Sequence, residues 1–151
     1  MLSTYSSDVL AFPASNPVVT DLIASQHYDV GDVTIWNDAD FLYVNYKLSI
    51  IWLRLFETHL HVATSLEGIP QSNGNPVPGQ FDHKTTHGRW VQNFTYKIPL
   101  ERSWGSGKEL YIATHATITG VCNLFATGWG DGIEFPGKKW STYIIYTVEL
   151  D

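Results

Sequence analysis

The sequence is poor in cysteine, which removes one common source of stability. Among 151 residues the single cysteine is Cys122, so an internal disulfide is excluded. Its apolar surroundings, GVCNLFA, favour a small buried side chain over a nucleophile. A chain of this length buries a sizeable core without disulfides, so the lack of a disulfide does not fix the cellular compartment.

Basic residues and long apolar runs are also scarce. Nine Lys and Arg face fifteen Asp and Glu, which gives a formal net charge of -6, and the basic residues stand singly. Phosphate backbones are bound by clustered Lys and Arg, so we expect no nucleic-acid partner. No apolar run approaches the ~20 residues that a membrane-spanning helix needs, so we expect no membrane span.

Helical periodicity is weak, and a period of two dominates instead. The one weak helical candidate is VVTDLIASQ, residues 18–26. Strand-forming residues fill six runs, several of which alternate apolar and polar positions: residues 32–36, 41–49, 50–64, 90–98, 109–118 and 140–150. The first two runs flank a polar NDAD turn and predict a hairpin. Together the runs predict a single all-β domain, residues 1–151, folded as an antiparallel, jelly-roll-like β-sandwich, with a closed barrel as the second choice.

The stretch ETHLHV carries the most specific chemical signal. In an extended strand Glu57, His59 and His61 share one face. Two imidazoles so spaced can bind one transition-metal ion. Cupin enzymes use such a pair, although the next glutamate here, Glu67, falls in a loop. The alternative is that these three residues form a solvated strand face. His83, His87 and His115 are further candidate ligands, but the sequence does not show whether they lie near His59 and His61.

Acidic loops give a second candidate site. Asp29 and Asp32 bracket the glycine of DVGD, and Asp131 and Glu134 lie in GDGIE. Loop carboxylates are the ligands that Ca²⁺ prefers, so these four residues are candidate calcium ligands that would stabilise loops. Asp and Asn are also ordinary turn residues, as the NDAD turn illustrates, and no EF-hand spacing is present.

Aromatic residues give a third candidate site. Trp36, Tyr46 and Ile144 lie on strands and are expected in the core, whereas Trp104 and Trp129 fall in glycine-rich loops. An exposed indole beside a carboxylate such as Asp131 can stack on a sugar face while the carboxylate accepts its hydroxyls. Trp104, Trp129 and Asp131 are therefore candidate glycan-binding residues. The alternative is that these rings cap the ends of the core.

Several stretches carry a likeness to a known group of domains: DVGDVTIWNDADFLYVNY, ETHLHVATSLEGIP, GNPVPGQFDHKTTH, FTYKIPL and GWGDGIEFPGKKWSTYIIYTV. The chain resembles small all-β domains found in predicted secreted and cell-surface proteins of bacteria and archaea. This resemblance implies an extracellular location and no particular activity or catalytic residue. The start, MLSTYSSDVLAF, lacks a signal-peptide pattern, so either the protein is not exported or a signal has been removed, and the resemblance favours the second.

Taken together, the sequence favours a non-enzymatic extracellular module for binding or surface assembly, stabilised by calcium and binding glycans. One alternative is a cupin-like metal enzyme that uses His59 and His61. The other is a self-assembling fibre or surface-layer subunit, because long strands left at a sheet edge can pair between chains.

Overall fold

The structure is a computed structural model that describes the backbone of residues 4–6 and all of residues 17–121 and 125–150. Cys122 lies outside these ranges. The strands are β1 Thr4–Ser6, β2 Val18–Ala24, β3 Tyr28–Asn37, β4 Phe41–Leu48, β5 Leu53–Ala63, β6 Gln71–Ser72, β7 Asn75–Pro76, β8 His83–Thr86, β9 Asn93–Pro99, β10 Glu109–Gly120, β11 Phe125–Gly130, β12 Ile133–Glu134 and β13 Thr142–Thr147. Two short 3-10 turns, Leu66–Gly68 and Pro78–Gln80, are the helical elements of the described ranges. None of the described helical segments is long and apolar enough to cross a bilayer.

One large antiparallel sheet organises the fold. Its main path runs β1-β9-β4-β3-β2-β11-β10, and the long strand β10 carries β5 along one edge and both β11 and β13 along the other. The strand β8 pairs with β5, β12 pairs with β13, and β6 and β7 form a separate hairpin. The predicted all-β, antiparallel class is confirmed.

The sheet curls into a half-barrel whose inner face holds the main core. Strands that are far apart in the sheet meet across it: the Tyr46 hydroxyl on β4 donates to the His59 carbonyl on β5 at 2.8 Å. The Tyr96 hydroxyl on β9 lies 2.8 Å from Thr58 Oγ1, also on β5. On β4 the alternation is clear, since the even-numbered residues from Leu42 to Leu48 are buried. Trp36, Tyr46 and Ile144 are buried, as predicted.

The outer face of the β5–β10–β11 region has a cover of its own. Residues 64–82 and 131–141 fold over it and are joined by a hydrogen bond from Gly137 N to Gly74 O at 2.8 Å. Under this cover lies a second cluster of buried apolar residues: Ile69, Phe81, Ala113, Trp129, Phe135 and Tyr143. Both faces of these strands are therefore shielded from water, so the side chains of their outer face are largely buried.

The helical candidate at residues 18–26 is wrong. These residues form β2, which pairs with β3 and β11, and a turn at Ser25 and Gln26, both with positive φ, returns the chain into β3. Thr20 and the two valines at the start of the segment are β-branched, and hydrogen bonds to two neighbouring strands outweigh a weak helical pattern. The run 50–64 also begins later than predicted, at Leu53, because residues 49–52 form the turn after β4.

Candidate functional site

The outer face of β5 and β10 brings together two histidines that are distant in the sequence. His59 and His115 are direct partners across the two strands, and their Nδ1 atoms lie 3.2 Å apart. Both residues are only 8% exposed. The contact has the length of a hydrogen bond between one protonated and one unprotonated nitrogen. The sequence could not identify His115 as the partner, because 56 residues separate the two histidines.

Glu57 fixes the polarity of this histidine pair. Its Oε1 atom lies 3.5 Å from His59 Nε2. A negative charge there favours the proton on Nε2, which leaves His59 Nδ1 as the acceptor for the Nδ1–H of His115. Burial lowers the pKa of His59, against the opposing influence of Glu57. Burial, with the neighbouring His59, lowers the pKa of His115 from 6.5 to about 3.

The remaining histidines do not join this pair. His61 lies under the cover, where its Nδ1 accepts the N–H of Asp82 at 3.1 Å and its ring contacts Phe81. On β8, His83 pairs with Leu60, so its side chain shares the inner face of the sheet, where it contacts the Tyr96 ring. The His87 ring also faces inward, since its Nε2 lies 3.1 Å from Thr58 Oγ1.

The predicted metal set of Glu57, His59 and His61 is therefore not assembled as one group. The structure joins His59 to Glu57 and to His115, while His61 is engaged by Asp82. Within residues 17–121 and 125–150, the one group of three or more His, Cys, Asp or Glu ligand atoms within 4.8 Å of one another is acidic: Asp21, Asp29 and Asp32.

A β-bulge builds this acidic group. Leu22 pairs with Gly31 and Ile23 with Asp29, so Val30 is an extra residue on β3. In a regular strand Asp29 and Asp32 would point to opposite faces, and the extra residue turns them to the same one. Asp32 pairs directly with Asp21 of β2. The pKa of Asp21 is raised, first by the charge of Asp29, then by desolvation, and then by the charges of Asp32 and Asp131.

The four predicted calcium ligands are thus only partly brought together. Asp29 and Asp32 belong to the acidic group, and Asp131 lies beside it, with its N–H donating to the Asp21 carbonyl at 2.8 Å. Glu134 lies on β12, away from that group. The NDAD aspartates are turn residues, because Asp38 Oδ1 accepts the N–H groups of Asp40 and Phe41.

An open cleft of about 450 Å³ lies beside the second cluster. Its lining includes two indoles and four polar side chains: Trp129, Trp140, Gln26, His27, Asp131 and Glu134. Trp129 is held from behind, since its ring centroid lies 4.6 Å from that of His115 and 6.3 Å from that of Phe81. The cleft thus unites three residues that the sequence singled out, Trp129, Asp131 and Glu134.

Trp104 does not share this cleft. Its side chain is buried in the main core, and Trp129 is buried in the second cluster, so both loop tryptophans follow the core alternative rather than the expected exposure. The sequence did not identify Trp140 as a site residue, because it begins the run 140–150, which was predicted to be a strand. The strand starts only at Thr142, which leaves Trp140 half-buried at the cleft.

Comparisons with known proteins add no relatives: no family model, no curated protein and no solved structure matches the chain. The resemblance to secreted and cell-surface domains therefore stays a prediction.

Proposed function

We propose that the protein is an extracellular binding module whose cleft takes a carbohydrate. The observation that carries this proposal is the pairing of two indoles with two carboxylates in one cleft. The half-buried Trp140 ring can stack on the C–H face of a sugar, while the buried Trp129 borders the cleft, and carboxylate, amide and imidazole groups exchange hydrogen bonds with the sugar hydroxyls. The volume of about 450 Å³ falls within the ~300–1,000 Å³ of typical small-ligand sites.

The charges of the cleft favour one class of sugar. Asp131 and Glu134 both line it, and no Lys or Arg is among the described residues of its lining. Anionic sugars would meet two carboxylates without a compensating cation. The preferred ligands are therefore neutral or amino sugars.

A glycan array followed by calorimetric titration tests the proposal. Replacing Trp140 with Ala should weaken binding at least about tenfold, which corresponds to about 1.4 kcal/mol, because the half-buried ring that lines the cleft is removed. Asp131→Asn should weaken an amino sugar more than a neutral one. Trp90→Ala, an exposed tryptophan outside the cleft, is the matched control. A wild-type protein that binds no sugar on the array would refute the proposal.

Calcium enters this proposal as a stabiliser of the β2–β3 pair at its bulge, because the three aspartates of the acidic group lie on those strands rather than on loops. The group of Asp21, Asp29 and Asp32 supports that role, since its oxygens lie within 4.8 Å of one another. Exposed acidic groups also occur without an ion, so the test must measure the effect of calcium on stability directly. Thermal unfolding with calcium and with a chelator should differ for the wild type and not for Asp32→Asn. Equal midpoints for the wild type in both conditions would remove calcium from the proposal.

The histidine pair favours one alternative function, a transition-metal enzyme. Two tetrahedral zinc ligands at about 2.0–2.1 Å are separated by roughly 3.4 Å, close to the 3.2 Å between the two Nδ1 atoms. The hydrogen bond explains the same distance and needs no further ligands, so we rank the metal second. Elemental analysis of protein purified without chelator decides between the metal and the hydrogen bond. About one zinc, iron or manganese per chain in the wild type, and none in His115→Gln, would favour the enzyme.

A self-assembling subunit is the third alternative. Among the strands that the structure describes, β5 is the one partner of β8, and another chain could pair with the second edge of β8. Sedimentation at increasing concentration tests this alternative, and a protein that stays monomeric throughout would refute it.

A further inference from the structure

Exposed apolar side chains are concentrated at one end of the half-barrel. There the chain turns between β4 and β5, between β8 and β9, and between β10 and β11. Four large apolar side chains of these turns and one at the start of β11 are 47% to 78% exposed: Ile51, Trp52, Trp90, Val121 and Phe125. We call this set the loop tip. Single exposed apolar residues are ordinary, but five on adjacent loops form a patch of the kind that marks an interaction surface.

Hydrogen bonds hold the loops of the tip together. Val121 N donates to the Trp52 carbonyl at 3.3 Å, which joins the β10–β11 turn to the β4–β5 turn. The Gln92 side chain donates to the carbonyls of Ile50 and Leu53 at 3.0 and 2.9 Å, which joins the β8–β9 segment to the same turn. The surface is therefore preformed, so that binding would cost little conformational entropy.

The charge of the loop tip is opposite to that of the whole protein. The described residues of the loop tip and its surroundings, residues 49–54, 87–92, 119–121 and 125–126, contain two arginines and no Asp or Glu, although the chain carries a net charge of -6. Arg54 lies 5.5 Å from the Phe56 ring centroid, and its guanidinium donates to the Arg89 carbonyl at 3.2 Å. The Phe56 ring in turn lies 5.5 Å from that of Phe125. The cations thus stand directly beside the apolar patch.

We propose that the loop tip docks onto the surface of an anionic lipid bilayer. Tryptophans favour the headgroup level of a membrane, where their rings are half in water. Ile51, Val121 and Phe125 would enter the boundary of the acyl chains, and Arg54 and Arg89 would meet lipid phosphates. Exposed apolar side chains with cations beside them match a lipid surface, where charged phosphates lie above the apolar acyl chains. This inference does not depend on the carbohydrate cleft, because the two sites share no residue.

Sedimentation with vesicles tests the inference on the full chain. The protein should bind vesicles of phosphatidylcholine mixed with phosphatidylserine, and should bind phosphatidylcholine alone much more weakly. Binding should weaken as salt rises, since the arginine contacts are screened. Trp52→Ala should reduce the partition coefficient at least about tenfold, as expected for a side chain that leaves an apolar environment. Tryptophan fluorescence should shift to the blue only with the anionic vesicles.

Matched variants separate the loop tip from other surfaces. Val121→Ser should weaken vesicle binding, whereas Val19→Ser, at a similarly exposed valine on β2, should not. Arg89→Gln should lower the preference for phosphatidylserine. Trp140→Ala should bind vesicles as the wild type does, so a failed carbohydrate proposal and a failed membrane proposal give different results.

Three outcomes would overturn the inference. The first is no binding to either vesicle type, and the second is binding that Val121→Ser and Trp52→Ala leave unchanged. The third is self-association of the free protein in sedimentation that Trp52→Ala abolishes, because the loop tip would then be an interface between two copies of this chain.

Discussion

Mild acid should destabilise this protein through His115. The folded state lowers the pKa of this residue from 6.5 to about 3, chiefly by burial and then by the neighbouring His59. Between these two pH values the unfolded chain therefore binds a proton at His115, whereas the folded chain does not. The stabilising contribution is fully present above pH 6.5, and it is lost progressively as the pH falls from there toward 3.

The size of the effect follows from the two pKa values. Between about pH 7.5 and pH 5, an unfolded pKa of 6.5 and a folded pKa of about 3 remove about 2 kcal/mol from the free energy of unfolding. Burial also lowers the pKa of three further histidines, which adds to the loss: His59, His83 and His87. The wild type should therefore lose at least about 2 kcal/mol over this range.

Urea unfolding followed by tryptophan fluorescence at the two pH values measures this loss. His115→Gln keeps a polar side chain but cannot titrate, so it should lose about 2 kcal/mol less than the wild type. His27→Gln, in the exposed turn between β2 and β3, is the matched control and should behave as the wild type does. Equal losses in His115→Gln and the wild type would refute the argument that burial keeps this imidazole neutral.

Three further substitutions test other parts of the fold. Gly31→Ala should destabilise the protein by more than about 1 kcal/mol in urea unfolding, because a Cβ there would overlap the carbonyl oxygen of Lys47. Tyr96→Phe should cost about 1–3 kcal/mol, because it removes the buried hydroxyl that contacts Thr58 and leaves its partners unsatisfied. Asp21→Asn should raise the thermal midpoint at neutral pH and low salt, since it relieves repulsion among neighbouring carboxylates, and the gain should shrink as salt rises.

Each of these substitutions has a control elsewhere in the chain. Gly79→Ala meets no atom within 4 Å and should be close to neutral. Tyr28→Phe, on an exposed ring, should also change little. For the acidic group, Asp40→Asn at an exposed turn should not reproduce the stabilisation of Asp21→Asn. A control that changes stability as much as its test variant would show that the stated contact is not the cause.

Alternation and turn chemistry made the strands predictable. The NDAD hairpin folds as expected, with the N–H of Asp38 donating to the carbonyl of Phe41 at 3.0 Å. The segment 18–26 could not be assigned from its own residues, because pairing with two other strands decides its conformation. The same holds for β11, Phe125–Gly130, where glycines suggested a loop.

The candidate sites were harder to predict because they depend on contacts between distant residues. His59 was identified, but its partner is set by the register of β5 against β10 rather than by any local motif. Asp29 and Asp32 were identified as candidate ligands, but Asp21 was missed, because the bulge at Val30 and the register of β2 against β3 bring it to them. Trp104 and Trp129 have similar glycine-rich neighbours and both are buried, but Trp104 lies in the main core, whereas Trp129 lies in the second cluster and borders the cleft.

The position of β10 in the sheet has a consequence for synthesis on the ribosome. The strands β2, β3 and β4 pair with their neighbours in the chain, so they can associate as soon as they emerge. Strand β5 must wait for β10, since His59 and His115 are 56 residues apart. At ~5–20 residues per second this delay lasts roughly 3–11 s, much longer than a hairpin takes to form. During that interval the edge of β5 is open to other nascent chains, so rare codons between residues 64 and 108 should increase aggregation.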